Sequence, residues 1–409
     1  MLIYILICIC CIMSCHLLLE SKRLADQVLK LKPDRSTQLQ TYEDLTTFVM
    51  GARVGAFSGA LVVALNMCFS AGFVICIREN LKAVYPGLTD VDILTVLTPI
   101  LLLLGQVKWL NDLCIFSFLG ALIYFVGVIG SSLAFSLEHF KPPQDLMAFR
   151  WREIVSYTGT AVYALEGICL VLPCERSMRD KKSAGLVVTR SLIIYGIVTC
   201  GYAVVALSSG IVTPDCDIIV DCLETGDGSA SAHNVANTVR LALSAALCLS
   251  HPIQLYPAIE ILELVVARVV TAKAIKGEAA PLLSAGVNTG NNSGTHTHDT
   301  KSAGTDYVSV VIRICCCVVT LILGTCISSF SDFSNFVGSV GLTYVGFVLP
   351  VFLYLTVKNE RDRLDVESQS ERVPITTKFV LALVLLLGVF NMTVTGTSSF
   401  LKLVGVKSH

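Results

Sequence analysis

The stretch GAFSGALVVALNMCFSAGFVICI, residues 55–77, contains no charged side chain. As a helix it is about 34 Å long, enough to cross a bilayer core roughly 30 Å thick. A helix satisfies its own backbone polar groups in lipid, and the alternating pattern of a membrane β-barrel is absent from the sequence. The stretch therefore predicts a membrane-spanning helix.

Similar apolar runs recur along all 409 residues, of which only 15% are charged, whereas soluble domains carry about 25%. We predict a single all-α membrane domain over residues 1–409 with about ten spans, the third of which is short. The predicted spans are Leu2–Leu19, Gly55–Ile77, Ile93–Val107, Cys114–Leu137, Ile154–Pro173, Leu186–Leu207, Val239–Ile259, Val308–Ile327, Phe336–Val357 and Lys378–Leu401.

The basic residues are distributed unevenly between the two sides of the membrane. If loops alternate sides, the side with loop 20–54 holds 20 of the 30 Lys and Arg residues, and the other side holds 7. Basic residues mark the cytosolic face, so loop 20–54 is predicted to be cytosolic and both chain ends to lie outside. Two explanations fit such an N-terminus: a cleaved signal peptide, which has no positive n-region here, or a missing upstream span.

Two longer polar segments interrupt the predicted spans. The outer segment 208–238 is acidic, with no Lys or Arg, and reads as a solvated lid or as an attractor of cations. The inner segment 273–306 is of low complexity and is predicted to be disordered. Within it, Glu278, Leu282 and Leu283 fit an acidic dileucine pattern, which predicts contact with a sorting adaptor or is a chance match.

The motifs of soluble enzymes and of metal sites are absent from the sequence: GxxxxGK[ST], GxSxG, HExxH and Cys/His metal spacings do not occur. We therefore predict no enzyme activity, no metal, no cofactor and no nucleic-acid partner. Polar or helix-breaking residues inside spans are costly, and they are the better indicators of function.

The fifth span contains such a residue, Glu166, between Gly159 and Pro173. A carboxylate near mid-membrane costs roughly 2.5–3.5 kcal/mol, so it needs a partner, water or a proton. A span interrupted by Gly and Pro is typical of a discontinuous helix whose free backbone groups bind a substrate. The alternative is a kinked packing helix.

The seventh span carries two prolines with polar residues between them: His251, Pro252, Gln254, Tyr256 and Pro257. Proline frees a helical carbonyl, which suits a gate or a pathway lining. A simple bend at the cytosolic mouth is the alternative.

The second span places Asn66 and Ser70 on one helix face, where they either line a cavity or bond to a neighbouring helix.

Several stretches together resemble the amino acid/auxin permease superfamily, nearest its proton-coupled amino-acid transporters. They are Tyr42-Glu43-Asp44-Leu45, Glu79-Asn80-Leu81, Gly159-Thr160-Ala161, Glu166-Gly167, Leu172-Pro173, Pro252 through Glu263, and Val337-Gly338-Ser339. The resemblance implies two inverted five-helix repeats plus one helix, and the family's first helix has no counterpart here.

The resemblance also implies secondary active transport of small neutral amino acids by alternating access, coupled to protons, with sodium as the other candidate ion. It implies Gly159, Thr160, Tyr163, Gly167, Asn66 and Ser70 as substrate-binding residues. Glu166 is the candidate for proton coupling. A plasma, lysosomal or vacuolar membrane is expected.

Three other functions remain open at this point: an amino-acid-sensing receptor, a transport-inactive truncated paralogue, and a membrane-embedded enzyme. A receptor predicts a long cytosolic tail, whereas residues 358–374 are few. An enzyme predicts clustered His or Asp across spans, which the sequence does not contain.

Overall fold

The computed structural model describes residues 1–31, 39, 41–107, 110–138, 151–165, 167–208, 230–275, 303–327, 329–364 and 374–403. These residues form helices and contain no strand, which confirms an all-α membrane protein. The helices of the first half are α1 (Leu2–Leu31), α2 (Tyr42–Met50), α3 (Ala52–Val84), α4 (Asp90–Gly105), α5 (Leu110–Ile123), α6 (Ser131–Glu138), α7 (Trp151–Ala164) and α8 (Ile168–Ser177). Those of the second half are α9 (Ala184–Ser208), α10 (Ala230–Ile275), α11 (Ala303–Cys326), α12 (Phe330–Val337), α13 (Leu349–Leu364), α14 (Ile375–Phe390) and α15 (Gly396–Leu403).

Eight helical segments of the described chain are long and apolar enough to cross a membrane. They are Leu2–Leu31, Ala52–Val84, Asp112–Glu138, Tyr157–Ser177, Lys181–Leu207, Tyr307–Cys326, Phe330–Leu364 and Thr377–Leu401. The two other predicted spans correspond to α4, which has only 16 residues, and to part of α10, which has 46. The predicted count of ten is therefore not confirmed, although each predicted span overlaps one or more of these helices.

Local sequence signals set several helix boundaries. Thr41 and Asp44 form a capping box that starts α2, and Thr89 and Asp92 form another that starts α4. Gly51 joins α2 to α3 with φ of 94°, in the left-handed region that glycine adopts without strain. The predicted cytosolic loop 20–54 thus contains the end of α1, all of α2 and the start of α3.

The two other predicted polar segments are partly helical. Helix α10 begins at Ala230, inside segment 208–238, and ends at Ile275, inside segment 273–306. Helix α11 begins at Ala303. The rest of both segments, with the predicted adaptor residues Glu278, Leu282 and Leu283, lies outside the described residues.

Four π-helical segments interrupt the long helices of the described chain: Tyr124–Gly130, Gly338–Leu342, Tyr344–Val348 and Asn391–Thr395. Thr343, the residue between the second and third of these segments, accepts a hydrogen bond of 2.7 Å at its Oγ1 from the Asn391 Nδ2 in the fourth. The Thr343 hydroxyl in turn donates to the carbonyl of Gly338 at 2.8 Å. Interruptions of this kind occur frequently at functional sites, because they free backbone groups from the regular ladder.

Charged contacts collect at the two ends of the bundle. At one end, Arg78 donates to the carbonyls of Thr325 and Ile327 and lies near Asp90. At the other end, Arg313 pairs with Glu263 at 3.3 Å. Each set joins segments that the charge pattern predicts on one side of the membrane.

Candidate functional site

The fifth predicted span is interrupted in the middle of the buried core. Helix α7 ends at Ala164 and α8 begins at Ile168, while Gly167 between them is not helical, with φ of 179° and ψ of −3°. Gly167 provides no side-chain cap for α8, and Leu165 and Ile168 on either side are buried. The break leaves helix-terminal carbonyls on one side and amide N–H groups on the other. Glu166 lies outside the described residues.

Backbone-to-backbone contact fixes α7 against α12 and the segment that follows it. A β-carbon added at Gly159 would lie 2.6 Å from the carbonyl oxygen of Asn335, and one added at Gly338 would overlap the carbonyl oxygen of Gly159. The hydroxyls of Thr158 and Thr395 add a hydrogen bond of 2.9 Å nearby. Gly159 therefore serves a close helix crossing, and Thr160 beside it is half-buried.

An aromatic cluster lies one turn after this crossing. The ring of Tyr163 stacks on Phe69 of α3 with centroids 4.4 Å apart, and it meets Phe330 of α12 edge-on at 5.9 Å. A β-carbon at Gly72 would overlap the Tyr163 hydroxyl, so that glycine makes room for the ring. The cluster joins α7, α3 and α12 immediately before the helix break.

Buried amide side chains link α3 to α10. Asn66 is 1% exposed and donates to the carbonyl of Val62 at 2.7 Å, while the Gln254 Nε2 lies 3.5 Å from the Asn66 Oδ1. Ser70, one turn further along α3, is fully buried, and its Oγ has no hydrogen-bond partner among the described residues. Burying a polar group without a hydrogen-bond partner is costly, so the Ser70 hydroxyl indicates that a ligand or a water molecule binds at this position.

His251 is fully buried between α10 and α11. Its Nε2 lies 3.3 Å from the Thr320 Oγ1, and the Thr320 hydroxyl itself donates to the carbonyl of Cys317 at 2.8 Å. The hydroxyl proton is thereby used, so Nε2 of His251 is the donor and Nδ1 is the free acceptor of a neutral ring. That Nδ1 has no partner among the described residues.

Pro252 and Pro257 do not end α10, which continues through both. Their missing N–H groups leave the carbonyls of Cys248 and Ile253 without a helical donor. Tyr256, half-buried between the prolines, lies close to Arg176 at the end of α8. The prolines therefore lie where α10 passes the end of the broken span.

A small cavity adjoins the helix break and includes residues that the sequence did not indicate. Gly167, Val162 and Leu165 line one wall, and the π-interrupted helix forms another. The remaining wall comes from α1, where Ser14 is buried with no hydrogen-bond partner for its Oγ among the described residues. The sequence could have indicated Ser14 because it is the only serine of the apolar first predicted span. The π-helical wall leaves no pattern in the sequence.

Ion pairs connect the helices at the end predicted to be cytosolic. Lys22 of α1 pairs with Glu175 of α8 at 2.5 Å, and both side chains are about nine-tenths buried. Arg176 of α8 pairs with Glu260 of α10.

Arg268 of α10 reaches α2, where it pairs with Asp44 at 2.6 Å and with Glu43 at 3.2 Å. Burial raises the pKa of the Glu43 carboxyl, and Arg268 opposes part of that rise. These contacts hold the helices together at the end of the bundle that is predicted to be cytosolic.

The model of the family described as "Transmembrane amino acid transporter protein" matches residues 1–399. Vacuolar amino acid transporter 4 of Saccharomyces cerevisiae is 33% identical over 129 residues, 29% of this chain and 15% of that protein. Two Arabidopsis thaliana proteins also match. Amino acid transporter AVT3C is 26% identical over 55% of this chain and 42% of its own length, and amino acid transporter ANT1 is 22% identical over 78% and 69%. The matches thus cover between a seventh and about two thirds of these relatives.

Proposed function

Because the chain belongs to the transmembrane amino acid transporter family, we propose that it carries small neutral amino acids across a membrane, driven by protons. The family comprises transporters rather than enzymes, so the predictions of family and of no enzyme activity are confirmed. The observation that carries the proposal is the interruption of the membrane-spanning segment Tyr157–Ser177 between α7 and α8.

The break offers complementary groups for both charges of an amino acid. The uncapped N-terminus of α8 at Gly167 presents N–H groups and the positive end of the helix dipole, which suit a carboxylate. The last carbonyls of α7, before Leu165, suit an ammonium group. The side chains that we assign to the same site, Asn66, Ser70 and Tyr163, are neutral, which favours a substrate with an uncharged side chain.

Alternating access requires that one end of the bundle open while the other closes. The ion pairs from Lys22 to Glu175 and from Arg176 to Glu260 support a state closed at the end predicted to be cytosolic. Opening that end would replace these pairs with water. Pro252 and Pro257, beside Arg176, are the proposed gate residues of α10.

Two titratable residues are available for proton coupling. Glu166 lies at the helix break by sequence, next to Gly167, and it is the proposed proton carrier. His251 has a free Nδ1 among the described residues and lies on the same helix as Gln254. The buried imidazole of His251 is therefore a second candidate proton carrier beside the Glu166 carboxyl.

The test is uptake of labelled neutral amino acids by the purified full chain in proteoliposomes, with and without a pH gradient. We expect the gradient to raise uptake several-fold in the native protein and to have no effect in Glu166→Gln. Asp112→Asn, an exposed carboxylate at the start of α5, is the matched control and should behave like the native protein. Preserved uptake with preserved pH dependence in Glu166→Gln would overturn the role of that residue.

The same preparation tests the transport assignment itself. Substrate that raises the melting midpoint but never accumulates inside the vesicles would indicate a receptor instead. Neither binding nor flux for any neutral amino acid would refute the proposed substrate class. The name of the yeast relative favours a vacuolar membrane, which a fluorescent fusion of the full chain would test.

A further inference from the structure

A second, larger cavity lies away from the helix break, at the end of the bundle predicted to be cytosolic. Its volume is about 450 Å³, and it is bounded by α1, the start of α9, the first half of α13 and the start of α14. Its walls include His16, Arg23, Lys182, Tyr354 and Thr377. None of the substrate-binding or gate residues proposed above lines it.

One end of this cavity is cationic. The Arg23 guanidinium donates to the carbonyl of Lys182 at 3.3 Å, which brings the two basic side chains to the same rim. Glu20 is the one carboxylate among the lining residues, and its Oε2 lies 3.7 Å from the Arg23 Nη1. The lining itself therefore carries two cations and one carboxylate, while Asp180, next to Lys182, lies outside it. Helix α14 begins at this rim after Pro374 without a side-chain cap, so its free N–H groups add to the positive field of the rim.

The wall beside the rim is built from close contacts. The Thr189 hydroxyl donates to the carbonyl of Gly185 at 2.8 Å, so it accepts the bond of 2.7 Å from the His16 Nε2. A β-carbon at Gly185 would lie 2.9 Å from the His16 ring, so the glycine lets the ring pack closely on α9. The contact holds α1 and α9 together and keeps the cavity open beside them.

The other end of the cavity is apolar and faces lipid. Met13 and Leu186 line it and are 37% and 51% exposed, and Leu17 and Val380 complete the apolar wall. Arg23 and Met13 are ten residues apart on α1, about 15 Å along the axis. The cavity therefore runs from a cationic rim into the depth of one leaflet, which matches a phosphate headgroup followed by an acyl chain.

We propose that this cavity binds an acidic phospholipid of the cytosolic leaflet, with its phosphate between Arg23 and Lys182 and an acyl chain along Met13 and Leu186. Anionic lipids are concentrated in that leaflet, where basic pockets between helices attract them. The lipid would touch α1 and α9 on one side and α13 and α14 on the other. The site does not depend on the transport activity.

Native mass spectrometry of the full chain in detergent measures the binding directly, with phosphatidylinositol as the acidic probe and phosphatidylcholine as the neutral one. Each basic contact contributes about 1 kcal/mol, so Arg23→Gln with Lys182→Gln should weaken phosphatidylinositol binding about 30-fold. The matched control removes two exposed charges, Lys30 and Arg53, from the same predicted side but outside the cavity. That double variant should bind like the native protein.

Equal binding by both double variants, or equal binding of both lipids to the native protein, would overturn the proposal. Soluble glycerophosphoinositol distinguishes a lipid from a free anion: the lipid site requires that it bind far more weakly than the intact lipid, and equal affinity would refute it. Leu186→Trp keeps both charges and fills the apolar end, so it serves if the charge variants fail to fold. It should also reduce phosphatidylinositol binding, and unchanged binding would count against the acyl-chain position.

Discussion

The crossing of α7 with α12 makes Gly159 sensitive to a single methyl group. In Gly159→Ala the new β-carbon would lie 2.6 Å from the carbonyl oxygen of Asn335, whereas ordinary contact begins near 3.4 Å. The Asn335 Oδ1, 2.0 Å from the new β-carbon, can rotate aside, but the carbonyl oxygen belongs to the backbone, so the helices would have to separate by about 0.8 Å. Overpacking of this kind costs roughly 1–3 kcal/mol.

Alanine also gains about 1 kcal/mol over glycine in a helix, which would mask part of this cost. Gly201→Ala in α9 corrects for the gain, because a β-carbon there would meet nothing within 4 Å. The difference between the two variants therefore isolates the crossing. Gly159→Ala should unfold at the lower temperature of the two in the same detergent. A midpoint equal to that of Gly201→Ala would refute the crossing geometry.

The same displacement should reach the proposed substrate site. Tyr163 follows Gly159 by one turn, and its stacking on Phe69 depends on the position of α7. We expect lower amino-acid uptake in Gly159→Ala at a temperature where the protein stays folded, and native uptake in Gly201→Ala. Adding Gly338→Ala should cost less than the sum of the single changes, since helices already separated admit the second methyl group.

Two further predictions concern the ion pairs. Lys22→Ala leaves the Glu175 carboxylate buried without its partner and should destabilise the protein by about 3–5 kcal/mol, whereas Lys22→Met with Glu175→Leu should recover most of the loss in thermal unfolding. Burial raises the pKa of Glu43, so its carboxyl favours the folded state only when protonated, and this contribution is lost as the pH rises through the folded-state pKa. Glu43→Gln should therefore raise the melting midpoint at pH 7, and this gain should vanish below the ordinary pKa of a glutamate carboxyl. Arg268 keeps its ion pair with Asp44 in this variant. An unchanged midpoint at pH 7 would contradict this reasoning.

The sequence was sufficient for features that depend on local composition. The apolar runs indicated the helices, and the Gly and Pro residues around Glu166 indicated an interruption, which the structure places between Ala164 and Ile168. The prolines of α10 were less informative. A proline removes one backbone bond, but packing against neighbouring helices keeps the chain helical through Pro252 and Pro257.

Features that depend on distant pairing were not predictable. Lys22 and Glu175 are 153 residues apart, and nothing in either local sequence identifies the other. Phe330 was an ordinary aromatic residue in the predicted connection between two spans until the fold placed it against Tyr163. The π-helical segments also left no periodic signal, because they shift a helix by one residue without changing its composition.

The two halves of the broken span are held by different kinds of contact, and this difference bears on which half moves. At Gly159, α7 meets its neighbour backbone against backbone, so displacement in either direction creates overlap or a void. Helix α8 instead packs by side chains such as Leu172, and its last turn is held by the ion pairs of Glu175 and Arg176. Side chains can change rotamer, and the charged groups of an ion pair can bind water instead of each other. A backbone-to-backbone crossing can adjust in neither way. We therefore expect a rotation about Gly167 that moves α8 away from α10 to cost less than one that moves α7, and such a rotation would open the proposed substrate site toward the end where those ion pairs lie.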